Sequence, residues 1–182
     1  MKDLSLHILD IAQNSIRAKA SLVEILLEED ITSDLFSITI RDNGFGMSPE
    51  IVEKVVDPFF TSRTTRKVGL GLPLLKMNAE RCGGSFAIKS EENVGTEVVA
   101  TFSHCNIDRP TLGDIAGVVV ILVSSNPDIE FVYHHRYNGK EYCFDTREVK
   151  EALDGSPIND LKISRFLKEM IKENLDEIQI GE

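Results

Sequence analysis

The sequence has few of the features that mark secreted, membrane-spanning or nucleic-acid-binding proteins. It has no tryptophan and only three cysteines, which are scattered and form no CxxC pair. This argues against a disulfide framework or a zinc site, so we expect reduced thiols. The longest apolar run, residues 115–123, is too short to span a bilayer. Acidic residues outnumber basic ones by 30 to 20, so the net charge is −10 and no general nucleic-acid surface is expected.

The composition is that of a folded protein, with 42% hydrophobic and 27% charged residues. The N-terminal stretch carries Asp10 and Asn14 among its apolar residues and does not look like a signal peptide. We therefore expect a cytoplasmic protein that binds neither membrane nor nucleic acid.

Apolar periodicity divides the chain into two parts, with a boundary near residues 104–110. We predict a domain over residues 1–106 and a C-terminal appendage over residues 107–182. In the appendage, residues 112–123 fit a helix or a strand, and Asn138-Gly139 predicts a hairpin over residues 129–145. The two histidines in this hairpin, His134 and His135, should alternate between the faces of the sheet. In the first part, helices are predicted at 3–18, 49–56 and 72–81, and strands at 21–29, 35–41, 85–90 and 97–102.

Polar residues interrupt the first predicted helix at a regular spacing. Asp10 and Asn14 lie four residues apart and share one face, and Arg17 follows three residues later. On their own, these residues could form either an exposed edge or the wall of a pocket. Two glycine-rich segments follow. Residues 42–46 follow a predicted strand and form either a simple turn or a ligand site. Residues 69–72 lie at the start of a predicted helix, where free N–H groups favour the binding of anions.

The order of these segments is more informative than any one of them. The chain reads LDIAQNSIRA, DNGFGM, DPFFTSR, VGLGLPLLK and GTEVVATF in turn. Over residues 4–102 it resembles the ATP-binding domains shared by gyrase B, HSP90, sensor histidine kinases and MutL, and it is most similar to the histidine kinase catalytic domain. The resemblance implies an α+β fold of the Bergerat type, a two-layer α/β sandwich with a mixed sheet and helices on one face. To this the C-terminal α+β appendage is added. It also implies ATP and Mg²⁺ as ligands.

The resemblance assigns the adenine end of the site to residues near the second strand. Asp42 would accept a hydrogen bond from the adenine amino group, and Thr96 would join it through water. Gly44 and Gly46 would let the backbone pass close to the base, beside Met47 as a wall.

The phosphate end follows from the same resemblance. Asn14 would bind Mg²⁺ through its side-chain oxygen, and Arg17 would lie near the phosphates. Asp10 stands where the superfamily commonly has a glutamate that orients or deprotonates the attacking water. The remaining predicted nucleotide contacts are Thr61, Arg63 and the backbone amides of Gly69, Leu70, Gly71 and Leu72.

Three functions stay open at this point. The short lid and the lack of an upstream phosphoacceptor region favour a stand-alone kinase acting on a partner protein. An aspartate in the base position fits an ATP-hydrolysing switch. A non-catalytic ATP-binding module that regulates a partner complex is the third reading. A homodimer is also left open.

Overall fold

The computed structural model describes residues 3–57 and 70–179 of the chain. Within these ranges it forms six helices and six strands. The helices are α1 (Leu4–Arg17), α2 (Pro49–Val55), α3 (Gly71–Arg81), α4 (Ile115–Ser125), α5 (Thr146–Ala152) and α6 (Leu161–Gln179). The strands are β1 (Leu22–Asp30), β2 (Leu35–Asp42), β3 (Phe86–Glu91), β4 (Gly95–Ser103), β5 (Glu130–Tyr137) and β6 (Lys140–Asp145).

All six strands belong to one mixed sheet with the order β3-β4-β2-β1-β5-β6. Neighbouring strands are antiparallel except β1 and β5, which run parallel. Side chains alternate between the two faces along each strand. Ile25 on β1, Ile38 on β2 and Val98 on β4 are buried, and their neighbours along each strand point to the other face.

The major helices cover one face of this sheet. α1 packs against α3, α4 and β2, and α6 packs against α4, β5 and β6. The interface between the layers is apolar: Leu4, Ile8 and Leu75 are completely buried. Each such side chain contributes about 1.5–3 kcal/mol of burial free energy. The predicted two-layer α+β fold with a mixed sheet is confirmed.

The C-terminal part of the chain continues the same sheet. β5 lies beside β1 in parallel register, with Leu22 opposite Glu130 and Glu29 opposite Tyr137. Buried residues of both parts form one hydrophobic core. The division at residue 106 stays a prediction, but the two parts share their sheet and their core.

The segment that fitted either a helix or a strand is the helix α4. Asp114 is its N-cap and accepts a hydrogen bond from the amide of Gly117 at 2.9 Å. No helix in the described ranges is both long and apolar enough to cross a membrane.

The predicted hairpin is formed by β5 and β6, which turn at Asn138-Gly139. Its two histidines do point to opposite faces. His134 bonds Glu141 on the open face of the sheet, and His135 is completely buried on the helix side.

Candidate functional site

The first group of predicted site residues lies on α1, which Asp3 caps by accepting a hydrogen bond from the amide of Leu6. Asp10 and Asn14 are half-buried on this helix. The side-chain oxygen of Asn14, the predicted Mg²⁺ ligand, accepts a hydrogen bond from Arg17 Nη1 at 2.9 Å. This bond places the guanidinium of Arg17 next to the amide of Asn14.

The second group lies at the end of β2. Asp42 projects toward the helix layer, where its Oδ2 accepts a hydrogen bond from Ser15 Oγ at 2.5 Å. Its Oδ1 accepts a hydrogen bond from the Gly44 amide at 3.0 Å. Thr96 is the register partner of Asp42 on the neighbouring strand β4. The structure therefore brings the two predicted adenine-binding residues together on neighbouring strands and ties Asp42 to the last turn of α1.

A serine on the edge strand holds the neighbouring loop in place. Ser90 Oγ accepts a hydrogen bond from the Met47 amide at 2.8 Å and lies 2.8 Å from Thr96 Oγ1 and 3.0 Å from the Gly95 carbonyl. A hydroxyl has one proton and two acceptor positions. Ser90 therefore donates to the Gly95 carbonyl and accepts from Met47 and Thr96, so all its hydrogen-bonding capacity is used.

Gly46 is required by the backbone of this loop. Its φ of +63° lies in the left-handed region. A Cβ added there would lie 1.9 Å from the carbonyl oxygen of Glu91, which no side chain could avoid. The loop that contains Gly44, Gly46 and Met47 is thus pressed against the turn between β3 and β4.

The phosphate end of the predicted site is the start of α3. The apolar Leu70 stands at the N-cap, where its side chain offers no acceptor to the free amides of the first turn. Gly71 is buried, and a Cβ added to it would lie 1.8 Å from Asp10 Oδ2. The carboxylate of Asp10 therefore packs directly against the first residue of α3. Leu72 is 6% exposed and belongs to the core through its side chain.

His7 lies one turn before Asp10 on α1 and is 1% exposed. Burial lowers the pKa of His7 below its ordinary value, although the Gly71 carbonyl and the Asp10 carboxylate act in the opposite direction. The imidazole is thus neutral at pH 7.

Three predicted nucleotide contacts, Thr61, Arg63 and Gly69, lie outside the described residues. Two other residues that contact the site, Ser15 and Ser90, were missed from the sequence. For Ser15 a signal existed, since it follows Asn14 directly. Ser90 joins the site through the register of β3 with β4, where it is opposite Thr96, and no local pattern gives that register.

These observations define the class of the protein. The predicted site residues lie at the start of α3, on the C-terminal half of α1 and at the ends of β2 and β4. Contacts from α1 link them, because Asp10 packs against the start of α3 and Ser15 bonds Asp42 at the end of β2. Carboxylates and glycine-rich turns beside a helix start, in an α+β sandwich, are features from which nucleotide-binding sites are built.

Comparison with known proteins then identifies the family. Residues 2–105 match the family described as histidine kinase-, DNA gyrase B-, and HSP90-like ATPase, and the chain belongs to this family. Among curated relatives, the CAI-1 autoinducer sensor kinase/phosphatase CqsS of Vibrio cholerae is 27% identical over 105 residues, which are 58% of this chain and 15% of that protein. Sporulation kinase D of Bacillus subtilis is 33% identical over 94 residues, which are 52% of this chain and 18% of that kinase. The chain thus spans less than a fifth of the length of these two kinases.

A solved structure supports the same fold. The MutL ATPase domain of Aquifex aeolicus, complexed with ADP, superposes with a TM-score of 0.52 at 19% sequence identity. The match covers 85% of this chain and 70% of the MutL domain, so it extends into the C-terminal part.

Proposed function

We propose that this chain binds Mg-ATP in the cleft between α1, α3 and β2 and transfers the γ-phosphate to a partner protein. The observation that carries the proposal is that helix α1 links two carboxylates, one at each end of the proposed site. Asp42 lies at the end of β2, bonded to Ser15, and Asp10 lies against Gly71 at the start of α3. The family match and the kinase relatives support ATP as the nucleotide.

The two carboxylates have different tasks in this proposal. Asp42 accepts the hydrogen bond of the adenine amino group, which guanine lacks at the corresponding position. Asp10 orients the attacking group of the partner and takes its proton. The attacking atom forms a bond to the γ-phosphorus, the bond to the β,γ-bridging oxygen breaks, and ADP leaves. The backbone amides of Gly71 and Leu72, at the start of α3, stabilise the negative charge of the phosphates.

The donor atoms of the cleft fit a magnesium ion held together with the nucleotide. Asn14 offers an amide oxygen, a hard ligand of the type that Mg²⁺ prefers. When bound, the metal would neutralise phosphate charge. Among residues 3–57 and 70–179, no three His, Cys, Asp or Glu side chains cluster as a metal site, so the proposal assigns most of the remaining ligands to phosphates and water.

The histidines of the chain favour a partner as phosphoacceptor over the chain itself. His7 and His135 are buried. His104 bonds Glu29, and His134 bonds Glu141, each at 3.1 Å. These are all four histidines of the sequence, and none of them is both exposed and without a carboxylate or amide partner. The cytoplasmic location predicted from the sequence stays a prediction.

A specific feature of the sheet supports a second candidate, an ATP-driven switch. Val23 on β1 is the register partner of Asp42 on one side and of Phe131 on the other. Only β1 therefore separates Asp42, at the adenine end of the proposed site, from β5 in the C-terminal part. A displacement of Asp42 on ATP binding would pass through this one strand.

One assay separates these functions. The protein is incubated with ATP labelled at the γ-phosphate, with and without candidate partner proteins. Transfer of label to a partner supports the kinase, free phosphate alone supports the ATP-driven switch, and ATP binding with neither supports a non-catalytic module. Asp10→Asn is the control, because it should abolish transfer while ATP still binds. Loss of label from the partner in acid would indicate phosphohistidine, and label that resists acid would indicate phosphoserine.

A further inference from the structure

Ser90, near the end of β3, joins three parts of the chain at the adenine end of the proposed site. Its hydroxyl oxygen lies 2.8 Å from the Met47 amide nitrogen, 2.8 Å from Thr96 Oγ1 and 3.0 Å from the Gly95 carbonyl oxygen. Ser90 and Thr96 are both half-buried, and together with Asp42 they border one pocket at this end of the sheet. Asp42 and Thr96 are the predicted contacts of the base, and Ser90 is not among them.

The partners of Ser90 fix the direction of each of its hydrogen bonds. The Met47 amide can only donate, and the Gly95 carbonyl can only accept. The single proton of the Ser90 hydroxyl therefore goes to the Gly95 carbonyl. The hydroxyl of Thr96 must then donate to Ser90, and its own two acceptor positions are left for other groups.

The adenine end of the site consequently presents acceptors to a base. The Asp42 carboxylate accepts hydrogen bonds from Ser15 and from the Gly44 amide, and the proton of Thr96 is engaged with Ser90. Adenine has an amino group with two protons at position 6, whereas hypoxanthine and guanine have a carbonyl there. A threonine hydroxyl that was free to rotate would donate to such a carbonyl, directly or through a water.

We propose that Ser90 is a positioning residue that strengthens the preference of the site for adenine, because it holds the Thr96 hydroxyl as an acceptor. The proposal rests on the proposed binding of ATP, with Asp42 and Thr96 at the base. In this role Ser90 acts through Thr96 and need not touch the nucleotide. A purine with a carbonyl at position 6 is then disfavoured twice, since it meets the Asp42 carboxylate and finds no donor at Thr96.

Contacts that do not involve the Ser90 hydroxyl also hold the surrounding loop and turn. The Asn93 amide donates to the Phe45 carbonyl at 2.8 Å. A Cβ added to Gly95 would lie 1.9 Å from the Asp42 carbonyl oxygen, so the turn between β3 and β4 packs directly against the end of β2. We therefore expect Ser90→Ala to keep the backbone of this region in place.

Inosine triphosphate (ITP) is the test ligand, because its base differs from adenine only in the carbonyl at position 6 and the proton on N1. Calorimetry of the unsubstituted protein should show tighter binding of ATP than of ITP. In Ser90→Ala, the ratio of the two dissociation constants should narrow by roughly two- to tenfold, the value of one neutral hydrogen bond. Ser37→Ala is the matched control, because Ser37 is a half-buried serine on β2, and it should leave the ratio unchanged.

Thr96→Val separates this role from a merely structural one, because it removes the hydroxyl that Ser90 is proposed to hold. Ser90→Ala should not change the ratio of the ATP and ITP dissociation constants when it is made in the Thr96→Val background. An equal narrowing in both backgrounds would mean that Ser90 acts through the loop that contains Met47, and it would overturn the proposal. An unchanged ratio in the threonine background would overturn it as well.

Neutron diffraction from crystals of the unsubstituted protein with ADP tests the direction of the bonds without a variant. The deuteron of the Thr96 hydroxyl should lie toward Ser90 Oγ, and that of Ser90 toward the Gly95 carbonyl. A Thr96 deuteron that points to the nucleotide contradicts the proposal. If the unsubstituted protein binds no ATP, the proposed function fails as well; if it prefers ATP to ITP and the ratio ignores Ser90→Ala, only the role of Ser90 fails.

Discussion

Replacing Asp42 by asparagine tests the adenine assignment with little change in shape. The carboxylate accepts two hydrogen bonds within the chain, from Ser15 at 2.5 Å and from the Gly44 amide at 3.0 Å. Each carboxylate oxygen has two acceptor positions, so two remain for a ligand. The adenine amino group needs one of them.

The asparagine variant keeps the internal bonds but changes what the ligand meets. Its amide oxygen must face the Gly44 amide, since two donors would otherwise oppose each other. Its amide nitrogen then faces Ser15, whose hydroxyl can accept instead of donate. The fold is thus preserved, while a hydrogen bond from adenine to a charged acceptor is lost. Such a bond contributes about 1.5–3 kcal/mol, or roughly 10- to 150-fold in ATP dissociation constant.

Calorimetric titration with ATP and GTP measures this effect, and thermal unfolding checks the fold. ATP affinity should fall by this factor, and the preference for ATP over GTP should narrow. Asp176→Asn is the matched control, because Asp176 is an exposed carboxylate on α6. If Asp42→Asn binds ATP as tightly as the control does, the assignment of Asp42 to adenine is wrong.

Three further predictions concern the phosphate end and the junction with the C-terminal strands. Gly71→Ala should reduce ATP affinity by about tenfold or more, because the added Cβ would lie 1.8 Å from Asp10 Oδ2 and must displace it. The free energy of unfolding should fall less when Gly71→Ala is made in an Asp10→Ala background than in the unsubstituted protein, because the Asp10 carboxylate is then absent. An equal fall in both backgrounds would contradict the contact. Asn14→Ala should weaken Mg²⁺-dependent ATP binding in calorimetry and leave much of the metal-free ADP affinity, and equal losses would argue against a metal role. Glu29→Gln should lower the free energy of unfolding at pH 7 by about 2 kcal/mol, measured by urea denaturation, and this loss should shrink in acid.

The sign of the acid effect follows from the surroundings of Glu29. Its two oxygens bond His135 at 2.8 Å and His104 at 3.1 Å, and Tyr133 bonds the far side of His135. Burial raises the pKa of Glu29, but the hydrogen bonds and charges of the two histidines outweigh it, so the pKa lies below its ordinary value of 4.5. Stability from this group is therefore present above pH 4.5 and is lost as the pH falls through the lowered pKa. A difference between Glu29→Gln and the unsubstituted protein that stays constant down to pH 3 would refute this reasoning.

The sequence predicts the ATPase fold of residues 4–102 well because the information there is local and ordered. Alternation and helical spacing mark the strands and helices, and five short motifs appear in the order of one family. The proximity of Asp42 to Thr96 can also be predicted from the sequence, since Asp42 ends one predicted strand and Thr96 begins another. Contacts between distant positions cannot be predicted in this way. His7 meets Asn78 across 71 residues of sequence, and no local pattern marks either residue as the partner of the other.

The C-terminal part shows the same limit at the level of topology. Its hairpin follows from Asn138-Gly139, because an antiparallel turn is encoded in adjacent residues. The parallel pairing of β5 with β1 has no such local code, and it depends on burying Phe131 and Tyr133 against α4 and α6. The bond from Glu29 to His135, 106 residues apart, then fixes this pairing at one end of the strands. β1 also pairs with β2, the strand that carries Asp42. A single strand, β1, therefore separates β2 from the C-terminal hairpin. A partner that binds the hairpin would therefore act on the adenine end of the site through β1, which makes the ATP affinity of the chain the first quantity to measure once a partner is found.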